Sequence, residues 1–127
     1  MTLIGAQIAL LEPGVCVIDL PVHDALTQQH GFVHGGIVGM IADSAGGYAA
    51  FTLMAADASV LTVEYKINML APARGDRLVA RGEVVKPGRT LSVARADVHG
   101  ISGGRSTLVA TIQQTLMVMH GTSDDRV

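Results

Sequence analysis

Between Gly35 and Ala56 the chain carries a single charged side chain, Asp43. A carboxylate among apolar neighbours is costly unless it is paired, hydrogen-bonded or facing a cleft. One helical turn to either side, Gly39, Met40, Gly46 and Gly47 offer it no cation. Three readings follow from the residues alone. Asp43 could attack a carbonyl or activate a water molecule. It could cap a second helix beginning at Ser44-Ala45, or it could pair with a distant Lys or Arg. Nine residues upstream stands His34-Gly35-Gly36. A helix starting there presents unpaired N–H groups and the positive end of its dipole, and glycines let a ligand approach that backbone. Such a site suits an oxygen that becomes negative during attack on a carbonyl; the plain alternative is a glycine-lined helix entry. Gln28 lies just before, in a polar loop. His30 and His34 are spaced like metal ligands on a helix, but Gly31 disfavours a helix there and no third ligand follows, so no metal site is expected. Imidazole suits a general base near neutral pH, yet His34 fits better as a residue that orients the glycine loop.

These groups need elements to hold them. The run from Gly35 to about Ala55 is rich in Ala, Met, Leu and Ile and too long for one strand, which predicts a helix. Being apolar on nearly every side, it should be surrounded by protein. Before it, Leu3 to Leu11 and Val15 to Val22 read as strands about a Pro13-Gly14 turn, and Asp24 to His30 as a helical turn or loop. After it, Val60 to Leu70 alternates, with Leu61, Val63, Tyr65, Ile67 and Met69 on one face and Thr62, Glu64, Lys66 and Asn68 on the other. Arg77 to Lys86, Thr90 to His99 and Ser106 to Met119 follow as strands separated by Gly/Pro turns, and a polar tail from Gly121 is expected to fray. Strands joined by short turns are antiparallel neighbours. The expected architecture is therefore a single α+β domain, residues 1–127, with an antiparallel sheet curled around one long helix.

Bulk properties narrow the function. The 127 residues are 49% hydrophobic, enough for one core without disulfides or metal, and with two Phe, two Tyr and no Trp that core must be aliphatic. A formal charge of -2, with no basic run, leaves no footprint for nucleic acid. The single cysteine, Cys16, sits in an apolar stretch and reads as a packed thiol in a reducing cytoplasm. The start lacks the positive region of a signal peptide. The Gly35–Ala56 run has the length of a membrane span, but its central Asp, its glycines and the strands downstream argue against one.

The stretch from Gln28 through His34-Gly35-Gly36 to Asp43 resembles the signature of hotdog-fold acyl-CoA thioesterases of the phenylacetate-pathway (PaaI-like) type. Leu61 to Ala73 looks like that family's central strand, as does Gly82 to Leu91, and Leu108 to Thr111 resembles its closing strand. The resemblance implies an enzyme that hydrolyses an acyl-CoA thioester, with coenzyme A as part of the substrate and no separate cofactor. It implies Asp43 as nucleophile or general base and the Gly35 N–H as the group that polarises the carbonyl. Gln28 takes the place of an amide, commonly Asn, that orients water or the leaving thiolate, and Thr62 that of a hydroxyl that helps place the water. Gln at this position is typical of the branch acting on aromatic acyl-CoA esters, which usually carries Glu rather than Asp in the helix. Gly36 and the turn residues Lys86, Arg89 and Thr90 are implied in holding coenzyme A. Assembly is implied as a homodimer or homotetramer, with Asp43 and the glycine loop of one site coming from different subunits. Two other readings stay open: a hotdog hydratase or dehydratase using His34 with Asp43, and a non-catalytic acyl-CoA-binding module.

Overall fold

The structure, a computed structural model, describes residues 1–121, so the expected frayed tail beyond Gly121 lies outside the described residues. Strands β1 (Gln7–Glu12) and β2 (Val15–Pro21) precede helix α1 (Gly35–Phe51), and β3 (Ser59–Met69), β4 (Arg77–Lys86), β5 (Leu91–Ser102) and β6 (Arg105–Met119) follow it. All six strands form one antiparallel sheet in the order β1-β2-β4-β5-β6-β3. The sheet curls around α1, the hotdog architecture expected. No helix among the described residues is long and apolar enough to cross a membrane.

Element ends differ from the expectation for local reasons. Thr2–Ile4 is a 3₁₀ turn closed by Gly5 at φ 79°, so the first strand starts at Gln7 rather than Leu3. The helix stops at Phe51, short of Ala55, where the Thr52 hydroxyl donates to the Ala49 carbonyl (2.6 Å) and accepts the Gly14 N–H (2.7 Å). That hydroxyl ties the helix end to the β1–β2 turn. Strand β5 runs on to Ser102, past His99, because pairing with β6 continues up to the turn at Gly103-Gly104. Both glycines take positive φ there, a conformation that costs glycine little.

The helix lies close to the sheet because small residues line both surfaces. Ala42, Ala45 and Ala49 of α1 are buried, as are Ala80, Ala94, Ala96 and Ala110 of the sheet, with Ile18, Leu20, Leu78 and Val98 filling the remaining core. The closest approach is at Gly82, where a β-carbon would stand 2.3 Å from the Ala45 carbonyl carbon and 2.5 Å from the Gly46 nitrogen. Only glycine fits. One expectation needs correcting: α1 is not enclosed on every side in the single chain. Met40 and Tyr48 are exposed, and Ser44 and Gly47 are half-buried, so a stripe of the helix faces away from the sheet. Its small and apolar residues on that side are left uncovered.

The expected alternation of β3 is also broken. Thr62 pairs with Leu116 but Glu64 pairs with Thr115, so a bulge at Val63 shifts the register by one residue. Directly paired residues share a face. Thr62 therefore lies on the helix side with Tyr65 and Ile67, which pair with the buried Gln114 and Ile112. Leu61 and Val63 do not share that face as the alternation implied, and both are exposed.

Two outcomes follow. Gly82→Ala should lower folding stability by about 1–3 kcal/mol, the usual cost of overpacking, because its new methyl meets helix backbone rather than a mobile side chain; the denaturant midpoint measures this. Cys16 is fully buried, and that burial pushes its thiol up above the ordinary range. Native protein at neutral pH should therefore react with an aromatic disulfide reagent far more slowly than unfolded protein.

Candidate active site

Asp43 sits near the middle of α1, half-buried, on the border between the core face and the open stripe. The helix is continuous through Ser44, which removes the capping reading. The ion-pair reading also falls: among the described residues the ion pairs are Arg77–Asp19 and Arg95–Glu83. Two neutral groups hold the carboxylate instead. The Thr62 hydroxyl donates to Oδ1 at 2.8 Å, and the Gln114 amide nitrogen donates to the same oxygen at 2.7 Å. The second N–H of Gln114 reaches the Asp43 backbone carbonyl at 3.1 Å. Oδ2 has no protein partner among the described residues. Asp43 opens onto a cavity of about 200 Å³ lined by Ser44, Gly47, Tyr48, Phe51, Val60 and Thr62. Two of the four aromatic residues of the chain are thus beside the carboxylate.

The bulge of β3 explains Thr62, since without the extra residue Thr62 and Tyr65 would fall on opposite faces. Gln114 is the candidate-site residue that motif reading missed. Its signal lies in β6, where Ala110, Ile112, Leu116 and Val118 are buried in alternation and Gln114 is the polar residue within that series.

At the other end of the helix the glycine loop is held tightly. His34 is the N-cap, its Nδ1 accepting the Gly36 N–H at 2.9 Å. Its own backbone N–H donates to Leu26 (2.9 Å), and the neighbouring Val33 N–H donates to Ala73 (2.8 Å). The Ile37 and Val38 N–H groups are taken by the His34 carbonyl. The Gly35 N–H is the one left exposed and without a partner among the described residues, while that of Gly36 is committed. Gln28 is half-buried in the same loop; its Oε1 accepts the His30 N–H, so its amide N–H groups stay available. His30 and His34 gain no third ligand, and no group of potential metal ligands occurs among the described residues.

The structure thus gathers Gln28, His34, Gly35 and Gly36 at one end of α1, and Asp43, Thr62 and Gln114 at its middle. Gly35 and Asp43 are eight residues apart on one continuous helix, which is about 12 Å along its axis. Lys86, Arg89 and Thr90 are exposed around the β4–β5 turn, against the far end of the helix, beside a cavity of about 150 Å³ that Arg89 and His120 help to line.

Comparison with known proteins gives the family and the fold. The family model described as Thioesterase superfamily matches residues 30–107. A crystal structure of a thioesterase family protein from Silicibacter pomeroyi superposes with a TM-score of 0.94 at 52% identity, covering 95% of this chain and 89% of that one. The 1,4-dihydroxy-2-naphthoyl-CoA hydrolase of Listeria monocytogenes is 29% identical over 71% of this chain and 73% of its own length. The PaaI protein of the E. coli phenylacetic acid degradation operon shares the fold, with a TM-score of 0.84 at 23% identity over 96% of this chain and 85% of that one. By its matched family model, its fold and these relatives, the chain belongs to the thioesterase superfamily, as a thioester hydrolase with the hotdog fold that it shares with PaaI.

Proposed function

We propose that the protein hydrolyses an acyl-CoA thioester to a free acid and coenzyme A, with Asp43 as the reacting carboxylate. The observation that carries this reading is the way Asp43 is held. Thr62 and Gln114 both bind Oδ1, no cation among the described residues pairs with the group, and Oδ2 is left over at a cavity beside two aromatic rings. Oδ2 is thus the carboxylate oxygen open to a water molecule or a substrate carbonyl at that cavity. Two routes use this geometry. In one, Oδ2 bonds to the carbonyl carbon, the carbon–sulfur bond breaks and the thiolate leaves with its electron pair; water then hydrolyses the anhydride. In the other, Oδ2 takes a proton from water as the water oxygen bonds to the carbonyl carbon; the carbon–sulfur bond then breaks and the thiolate leaves with its electron pair, to be protonated by the carboxyl. Coenzyme A enters as part of the substrate, and neither route requires a cofactor.

The partnerless Gly35 N–H suits the carbonyl oxygen as it becomes negative. Within one chain it stands about 12 Å from Asp43, whereas one carbonyl must be reached by both groups at about 3 Å. This supports a site shared between copies, with Gly35 and Gln28 from one subunit and Asp43 and Thr62 from its neighbour. The uncovered stripe of α1 and the apolar, unpaired edge of β3 fit such a homodimer, alone or paired into a homotetramer. In this arrangement Gln28 orients water or the leaving thiolate, His34 and Gly36 fix the loop, and Lys86, Arg89 and Thr90 offer positive charge and a hydroxyl to the coenzyme A phosphates. The naphthoyl-CoA relative and the Tyr48 and Phe51 rings support an aromatic acyl group. The buried free Cys16 fits a reducing cytoplasm. His34 Nδ1 is occupied by the Gly36 N–H, which weighs against the hydratase reading.

The test is release of free thiol from a panel of aromatic and aliphatic acyl-CoA esters. Asp43→Asn should fold normally and lose about 10³-fold or more in kcat, the scale of removing a reacting group. Gly35→Pro removes one N–H at a helix position where proline is well tolerated, and should cost about 10²- to 10³-fold. Near-native turnover in Asp43→Asn, or no thiol release from any ester, would refute the proposal.

A further inference from the structure

We infer that Gln114 is a positioning residue for Asp43, its carboxamide locked against Gly46 so that Oδ1 is held and Oδ2 alone is presented to substrate. The inference rests on the catalytic reading of Asp43. Gln114 is 1% exposed on β6, between the buried side chains of Ile112 and Leu116. It spends both amide N–H groups on one residue, at 2.7 Å to Oδ1 and 3.1 Å to the backbone carbonyl of Asp43. That double contact fixes the carboxylate relative to its own helix as well as to the sheet. The amide cannot reverse, because its oxygen would then face two acceptor oxygens. Oε1 must therefore point the other way, and there it is buried with no hydrogen-bond partner among the described residues.

The space for Oε1 exists only because residue 46 is glycine. A β-carbon on Gly46 would stand 1.8 Å from Oε1 and 2.7 Å from the Gln114 side-chain carbonyl carbon. Gly46 is in the middle of a helix, where glycine is unfavourable. A buried acceptor without a partner is a further cost to folding. An apolar side chain at 114 with alanine at 46 would avoid both. The present pair makes sense if the orientation of the carboxylate is what it maintains. Thr62 alone would leave Asp43 free to turn about its side-chain bonds; the second donor to Oδ1 removes that freedom and distinguishes the two oxygens. Among the residues lining the cavity, Tyr48 is the only other titratable group, and it forms no hydrogen bond to Asp43.

The test uses Gln114→Met, which keeps chain length and burial but removes both donors, assayed by thiol release with an ester that the native protein turns over. The expected result is a kcat lower by about 10- to 100-fold, the rate equivalent of a hydrogen bond to a charged group. KM should stay within about twofold and the melting temperature should be unchanged or higher, since an orphaned polar group has gone. Gly46→Ala, which keeps Gln114 but displaces its carboxamide, should show the same split. The double variant should be no slower than the slower single one, because both act through one contact. A native kcat in either single variant, or a loss that appears in KM alone, would overturn the inference. If Asp43→Asn is inactive while Gln114→Met is native, only the role of Gln114 falls; if Asp43→Asn itself is active, the catalytic reading falls with it.

Discussion

The missing side chain at Gly82 sets the height of the helix above the sheet, and the site depends on that height. Helix backbone at Ala45 and Gly46 approaches β4 more closely than any β-carbon would allow. At this separation Asp43, just before the contact, reaches Thr62 on β3 and Gln114 on β6 at 2.8 and 2.7 Å. Hydrogen bonds of this length do not survive a displacement of an ångström, so a lifted helix would release the carboxylate. The small core residues extend the same principle along α1, with alanines on the helix against alanines on the strands.

Much of this was legible in the sequence. The length and composition of the Gly35–Ala55 run mark a helix, and Gly/Pro turns divide the rest into antiparallel strands. Asp43 is conspicuous because burying a charge is costly, and the His34-Gly35-Gly36 entry is readable because helix starts have unsatisfied donors. Tertiary geometry hid the remainder. The bulge at Val63 has no glycine to announce it, yet it decides that Thr62 faces Asp43. Gln114 lies 71 residues from Asp43 and beside Gln113, so along the strand it resembles an ordinary polar position. Its role shows only when the buried alternation of β6 is aligned with the helix. The uncovered stripe escaped notice because an all-apolar helix gives no sign of whether its own chain or another copy covers it.

A rigid helix also acts as a ruler. Gly35 and Asp43, whose N–H and Oδ2 have no partner among the described residues, lie on the same helix about 12 Å apart. No side-chain rotation brings both to a single carbonyl. On the proposed reading, the two halves of the chemistry are complete in their own surroundings and incomplete together in one chain. Pairing two copies through the open side of α1 and the edge of β3 would resolve this, with one helix supplying the acceptor and the other the donor.

Mixing inactive subunits tests that central claim most directly. Asp43→Asn and Gly35→Pro proteins, unfolded together and refolded at equal concentration, form mixed pairs in which one site has lost both groups and the other retains both. Random pairing predicts recovery of about one quarter of native activity, since half the pairs are mixed and each has one intact site of two. If the mixture stays as inactive as its components while native protein treated identically recovers, the two groups do not meet across copies and the account is wrong.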